Sequence, residues 1–254
     1  MNVALYGRRG HRWAMTERGQ GDVTQSRDGV VIGPSSVQWD GQAFVIRFDE
    51  TTAGFPVPIK HRVRGTVRVF PKAFTPRAFE LDQAGRHIWW PAAPVSRVEV
   101  ELQEPALRWS GEGYIDSNRG AESLEAGFSH WHWCRAPLDG GAAVLYDVET
   151  REGKVDPLAL RFDARGEVDV IEGLSVAQLP RTFWQVKRAT RADAGATPRA
   201  VKTLEDSPFY ARSLLETTLA GKRTPAIHES LSLDRFNSPI VKRMLPFKMP
   251  RAAK

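Results

Sequence analysis

A mainly β, antiparallel architecture, either barrel or sandwich, is predicted by three features of the 254-residue sequence. Apolar and polar residues alternate with period two over long stretches, the pattern of strands with one buried face. Gly, Pro and Asp punctuate those stretches at short intervals, as turns between neighbouring strands do. Helical segments do not alternate with the strands, which argues against a doubly wound parallel sheet.

The elements follow in order. GVVIGPSSVQWDGQAFVIRFDE (29–50) reads as short strands broken by Gly33-Pro34 and by an Asp40-Gly41 turn. In HRVRGTVRVFP (61–71), Val63, Val67 and Val69 interleave with Arg62, Arg64 and Arg68; in SRVEVELQEPALRWSG (96–111), Val98, Val100 and Leu102 oppose Arg97, Glu99 and Glu101. GAAVLYDVETREG (141–153) and DPLALRFDARGEVDVIEG (156–173) read as hairpins with turns at 151–153 and 164–166. One helix is predicted over 208–220: Asp206 or Ser207 can cap it, Pro208 suits its first turn, Gly221 its end, and Tyr210, Leu214, Leu215 and Leu219 recur at helical spacing. ATRADAGATPRAVKT (189–203) reads as an exposed loop, and HESLSLDRF (228–236) as a closing strand. Strand patterning pauses near Glu104-Pro105 and Gly111, so two domains are expected, 1–106 and 107–254.

Composition narrows the function classes. Hydrophobic residues make up 41% and charged residues 26%, ordinary for a globular chain that can bury a core. The single cysteine, Cys134, allows no internal disulfide and is expected to be a buried packing residue. No apolar run is long enough for a transmembrane helix, and MNVALYGRRG lacks the features of a secretory signal, so a cytoplasmic protein is expected. The net charge is +6, with its excess in a tail, 239–254, where Lys242, Arg243, Lys248, Arg251 and Lys254 interleave with Ile240, Met244 and Phe247. Such a tail suits an anionic lipid surface, and peripheral association with the inner membrane is the expectation; the bland reading is a solvated end. No helix-turn-helix, RNA-recognition signature or zinc-finger spacing supports nucleic-acid binding.

Two same-face pairs stand out. In RHIWWPAAP, His87 and Trp89 share one strand face; in GEGYIDSNRG, Tyr114 and Asp116 share another. Taken alone, Asp116 suits a turn, Trp89 and Trp90 a core, and His87 a satisfied buried or surface position. In SHWHWCRA, His130 and His132 also share a face and could ligate a metal, with a third ligand delivered by His11, His61 or His228. No third ligand lies nearby in sequence, and no metal is expected.

NVALYG (2–7), RWAMTERG (12–19), HIWWPAAP (87–94), GYIDSNRGAESLE (113–125), WHWCRA (131–136), SPFYARSLLETTLAG (207–221) and HESLSLDRF resemble, in order, the carotenoid 1,2-hydratases, also called hydroxyneurosporene synthases. The resemblance implies two tandem lipocalin-like β-barrels and a cofactor-free hydro-lyase. Its reaction is addition of water to the terminal C1=C2 double bond of acyclic carotenoids such as neurosporene or lycopene, and its activity residues map onto His87, Trp89, Tyr114 and Asp116. The Trp-x-Trp-x-Arg part of SHWHWCRA is what recurs in that family. Family members carry strands ahead of NVALYG, whereas Met1 directly precedes it here, so an incomplete first barrel is expected.

That chemistry needs an acid in a dry place, stabilisation of a tertiary carbocation and one positioned water. Asp116 is the expected acid: its carboxyl would titrate at about 4 in water, and aromatic surroundings would disfavour its charged form. Trp89 and Tyr114 would stabilise the cation through their ring faces. His87 would either hydrogen-bond Asp116 or hold the incoming water. The alternative is a non-catalytic, lipocalin-like carrier of carotenoid or lipid, because one fold serves both purposes. Nothing in the sequence indicates an oligomeric state.

Overall fold

Short turns bring the strands back beside a sequence neighbour, and the registered pairs are antiparallel. The computed structural model describes residues 1–7, 11–53, 59–154 and 157–249, and the chain divides into two compact units. The first comprises Met1–Pro71, Ser96–Tyr114 and Lys242–Lys254; the second comprises Lys72–Val95 and Ile115–Val241.

In the first half the strands are β1 (Asn2–Leu5), β2 (Arg12–Met15), β3 (Val23–Gln25), β4 (Gly29–Ile32), β5 (Ser35–Trp39), β6 (Phe44–Thr51), β7 (Arg62–Pro71), β8 (Phe79–Glu80), β9 (His87–Glu104) and β10 (Leu107–Gly120). Their main sheet has the order β10-β9-β7-β6-β5-β4-β3, and β8 pairs with the start of β9. The predicted Asp40 turn joins β5 to β6: its carboxylate accepts the backbone N–H groups of Gln42 and Ala43, and Gly41 takes the positive φ that a side chain would resist. Ala14, Phe48, Val63, Val100 and Leu102 form the first unit's core. Beside that core lies a buried ion pair. Arg18 donates to both oxygens of Glu50 at 2.9 and 2.8 Å, and Ser35 donates to the same carboxylate at 2.5 Å. Burial opposes ionisation of Glu50, but hydrogen bonds from Arg18 and Ser35 outweigh it and hold the carboxyl below its usual range.

The second half contains α1 (Leu124–Gly127), β11 (Phe128–Leu138), β12 (Gly141–Thr150), β13 (Gly153–Lys154), β14 (Leu158–Asp163), β15 (Val168–Val170), β16 (Leu174–Leu179), β17 (Arg188–Asp193), β18 (Arg199–Asp206), β19 (Tyr210–Leu219), β20 (Lys222–Ser232), α2 (Leu233–Phe236) and α3 (Pro239–Lys248). The sheet order is β15-β14-β12-β11-β20-β19-β18, with β16 and β17 forming a separate hairpin. One face of this sheet carries the apolar core of Cys134, Ala136, Leu145, Leu215 and Leu219. Cys134 is buried as expected, and burial pushes its thiol up to about 12. The architecture is mainly antiparallel β, as the sequence predicts. Among the described residues no strand pairing closes either large sheet into a complete barrel.

Three local expectations are corrected. The segment predicted as helix 208–220 is strand β19, in which Ala211, Ser213, Leu215, Thr217 and Leu219 are buried in strict alternation. Ser207 caps no helix, and its hydroxyl accepts the Tyr210 N–H in a tight turn. Gly221 is the second residue of a two-residue hairpin loop rather than a helix end. Ala220 and Gly221 both have positive φ, and Asp193 accepts both their N–H groups. The predicted loop 189–203 carries most of β17 and the start of β18, because Arg188, Thr190 and Ala192 turn inward alternately. The predicted closing strand ends at Ser232, whose hydroxyl accepts from Arg235 N and starts α2. Of the basic tail, 239–248 is helix α3, and its last residues, 250–254, lie outside the described residues.

Candidate active site

The site is built where β9 and β10 run side by side. Trp89, wholly buried, donates its indole N–H to Asp116 Oδ2 at 2.9 Å. Removing one partner of a buried hydrogen bond costs about 1–3 kcal/mol. Alternation explains why these two meet: Trp90 faces the other way, 40% exposed, and donates instead to the Thr75 carbonyl. The Trp89 ring is set between aromatic neighbours, with Phe79 at 5.6 Å and Tyr146, edge-on, at 5.4 Å. Trp131 stands 6.2 Å from Tyr146.

Burial pushes the Tyr146 phenol up, and the nearby carboxylates of Asp116 and Glu229 push it the same way. Tyr146 therefore remains a neutral phenol at physiological pH. It lies within the electrostatic reach of Asp116.

His87 is placed differently. It is 2% exposed, and its Nδ1 is 2.9 Å from Asp82 Oδ2, which also accepts its backbone N–H at 2.7 Å. Asp82 is held in turn by the N–H groups of Ala84 and Arg86 and is depressed by these bonds and His87 against the cost of its own burial. Its other ring nitrogen, Nε2, is buried without a hydrogen-bond partner. The ring makes no hydrogen bond to Asp116. Two glycines admit it: a Cβ on Gly127 would fall 2.4 Å from its Cε1, and one on Gly120 would fall 2.8 Å from its Cδ2. The Phe128 ring covers it at 4.5 Å.

The fourth expected residue, Tyr114, is half-buried on β10, two residues before Asp116, and ends the first unit's stretch of that strand. Sequence reasoning missed Asp82, Tyr146 and Phe128. Asp82 opens the turn LDQAGRH, whose Asp-x-x-Gly pattern signals a side-chain-stabilised turn leading into His87.

His130 and His132 are neighbours at 4.5 Å, and His228 stacks on His132 at 5.8 Å. His132 Nδ1 pairs with Ser230 Oγ at 2.7 Å, and His228 Nε2 donates to the Ala189 carbonyl at 2.7 Å. Burial drives all three towards the neutral form, His132 to about 2 and His228 to about 4. Among the described residues no three of His, Cys, Asp and Glu are arranged to hold a metal ion.

A carboxyl group bound to an indole beside an aromatic cluster, set on antiparallel sheets, is the arrangement found here. The crystal structure of a candidate AttH from Nitrosomonas europaea shares this fold, with a TM-score of 0.57 and 13% identity over 88% of this chain and 75% of that one. The chain belongs to the family described as carotenoid hydratase CrtC, which it matches over residues 1–254. It is 55% identical over 252 residues to an acyclic carotenoid 1,2-hydratase of Thiocapsa roseopersicina, covering 99% of this chain and 61% of that protein. With the enzyme of the same name from Rubrivivax gelatinosus it shares 44% identity, over 100% of this chain and 62% of that protein. With that of Cereibacter sphaeroides it shares 39%, over 99% and 88%. The chain thus spans a little over three-fifths of the length of the first two relatives.

Proposed function

We propose that this chain hydrates the terminal C1=C2 double bond of an acyclic carotenoid such as neurosporene or lycopene, giving the 1-hydroxy product. The observation that carries the reading is the Trp89–Asp116 hydrogen bond against the Tyr146 ring, in a member of the carotenoid hydratase family. Because Oδ2 receives the indole N–H, the acidic proton is carried on Oδ1 of Asp116. The alkene π pair takes that proton to form the C2–H bond, leaving a tertiary cation at C1. The rings of Trp89 and Tyr146 stabilise this cation by roughly 0.5–2 kcal/mol each, and only once charge develops, so the contacts lower the barrier. Water then bonds to C1 and releases a proton. The addition is redox-neutral and requires neither cofactor nor metal. His87 acts from behind Trp89, oriented by Asp82, with Nε2 as the acceptor for a bound water.

A long hydrocarbon must be met at a lipid surface. We infer peripheral attachment at the cytoplasmic face of the inner membrane through α3, where Ile240, Met244 and Phe247 recur at helical spacing and are 74%, 42% and 62% exposed beside exposed Lys242 and Arg243. Deleting 239–254 should weaken binding to anionic vesicles, and binding should fall with salt. Vesicle binding unchanged by both would refute this attachment.

The reaction is tested by incubating the chain anaerobically with lycopene or neurosporene in lipid dispersion, without added cofactor or metal, alongside Asp116→Asn. The expected product gains the mass of one water and disappears with Asp116→Asn. Tight carotenoid binding without product from either protein would favour the carrier.

A further inference from the structure

The reaction proposed above leaves one proton unassigned: the one that the adding water must lose. A row of side chains crosses four neighbouring strands close to Asp116. Tyr146 on β12 is paired in register with Trp133 on β11, Trp133 with Glu229 on β20, and Glu229 with Arg212 on β19. Register-paired residues project from the same sheet face, so Tyr146, Trp133, Glu229 and Arg212 line one surface. It is the face opposite the Cys134–Leu145 core. At one end of the row, Tyr146 touches the Trp89 ring, whose indole N–H is bound to Asp116. Towards the other end stands Glu229, paired with Arg212. Two strand spacings, about 10 Å, separate the backbones of Tyr146 and Glu229, with Trp133 on the strand between them.

Glu229 is prepared for one task. Arg212 donates from Nε at 2.9 Å and from Nη2 at 2.8 Å, both to Oε1. Oε2 has no hydrogen-bond partner among the described residues. The side chain is about one-quarter exposed, so water reaches it. Asp116 and Glu229 are thus two carboxyl groups in contrasting settings: one bound by an indole among aromatic rings, the other paired to a guanidinium.

We propose that Glu229, held by Arg212, is the catalytic base of this site, taking the proton from the water that adds to C1. The inference rests on the hydratase reading and deepens it. The water oxygen lone pair forms the C1–O bond, one water O–H bond breaks with its electron pair retained on oxygen, and the proton passes to Oε2. Glu229 afterwards releases that proton to bulk water, and Asp116 regains one from it, so the net change is addition of one water. The acid and the base flank the substrate from different sides, whereas a site in which Asp116 served as both would protonate and deprotonate from one side.

The test uses the full chain with lycopene in lipid dispersion. Glu229→Gln keeps a hydrogen-bond acceptor for Arg212, so its thermal midpoint should stay near that of the unmodified protein. Its kcat should fall about 100-fold or more with little change in KM. Glu229→Ala should regain turnover with added formate, which supplies a carboxylate at the vacated place; Asp116→Asn should not. Turnover by Glu229→Gln close to that of the unmodified chain, with Asp116→Asn inactive, would overturn this inference and leave the hydratase reading intact. Loss of activity in Glu229→Ala that formate does not restore would also overturn it, marking the Arg212–Glu229 pair as structural. If the unmodified chain forms no hydrated product, the hydratase reading falls and this assignment falls with it.

Discussion

His87 turns its Nδ1 to Asp82, 2.9 Å away, and not to Asp116. Of the first same-face pair it is Trp89 that is hydrogen-bonded to Asp116, while His87 is paired with Asp82 and covered by Phe128. Its place depends on the absence of side chains at Gly120 and Gly127.

Gly127→Ala would put a methyl group 2.4 Å from His87 Cε1, and the surrounding Phe128 and Asp82 leave the ring little room to retreat. Overpacking of this kind costs about 1–3 kcal/mol. Thermal denaturation should show that loss, and carotenoid turnover should fall with it. Gly19→Ala, with open space around it and no positive φ, should leave stability and turnover unchanged.

Trp89→Phe retains a ring beside Tyr146 but removes the donor to Asp116. The lost hydrogen bond corresponds to a reduction of about 10- to 100-fold in kcat. Steady-state kinetics would detect it as a change in kcat larger than the change in KM. Equal turnover by the two proteins would mean that the indole N–H plays no part in placing the acid.

Acid should destabilise the second unit through His132 and His228. Their folded-state values, about 2 and about 4, lie below the ordinary value of 6.5, so the neutral forms stabilise the fold. The unfolded chain binds more protons between these limits, and stability is complete above pH 6.5 and declines as pH falls towards 4. Together the two histidines should cost about 3 kcal/mol between pH 6.5 and pH 5. Urea denaturation across this interval measures it, and carboxylates with depressed values, such as Asp82 and Glu50, contribute only at lower pH. A flat profile from pH 6.5 to 5 would refute the assignment.

Arg18→Met should strand the Glu50 carboxylate, which is 1% exposed, at a cost of about 3–5 kcal/mol. Arg18→Met combined with Glu50→Leu removes both charges and should recover much of that loss. Chemical denaturation of the two variants distinguishes an ion pair kept for stability from one whose members merely neutralise each other.

The strands were legible wherever one face meets a core and the other meets water, as in β7, where Val63 and Val69 alternate with exposed Arg62, Arg64 and Arg68. The pattern misleads in β19. There the inward row mixes Ser213 and Thr217 with Ala211, Leu215 and Leu219, and the outward row keeps Tyr210 and Leu214, so apolar residues also recur at helical spacing. Pairing with β18 and β20 overrides that local preference. At the site, alternation within one strand was enough to group His87 with Trp89 and Tyr114 with Asp116. Tyr146 was not legible, because it closes a wholly buried run from Gly141 and its relation to Trp89 exists only after distant segments pack. Glu229 was hidden for a related reason: its significance lies in the row across β12, β11, β20 and β19, which no single segment encodes.

The two units alternate along the chain: residues 1–71, then 72–95, then 96–114, then 115–241, and finally 242–254. During synthesis the first unit therefore waits for the second half of β9 and the start of β10, which follow a segment committed to the other unit. That segment, with His87 and Trp89, in turn waits for β11 to β20, the last of which ends at Ser232. Apolar edges destined for late partners are thus exposed on the ribosome for much of translation. Such long-range pairing folds slowly and invites misassociation. Yield in a host should consequently depend on holding chaperones and growth temperature as much as on the final stability of either unit.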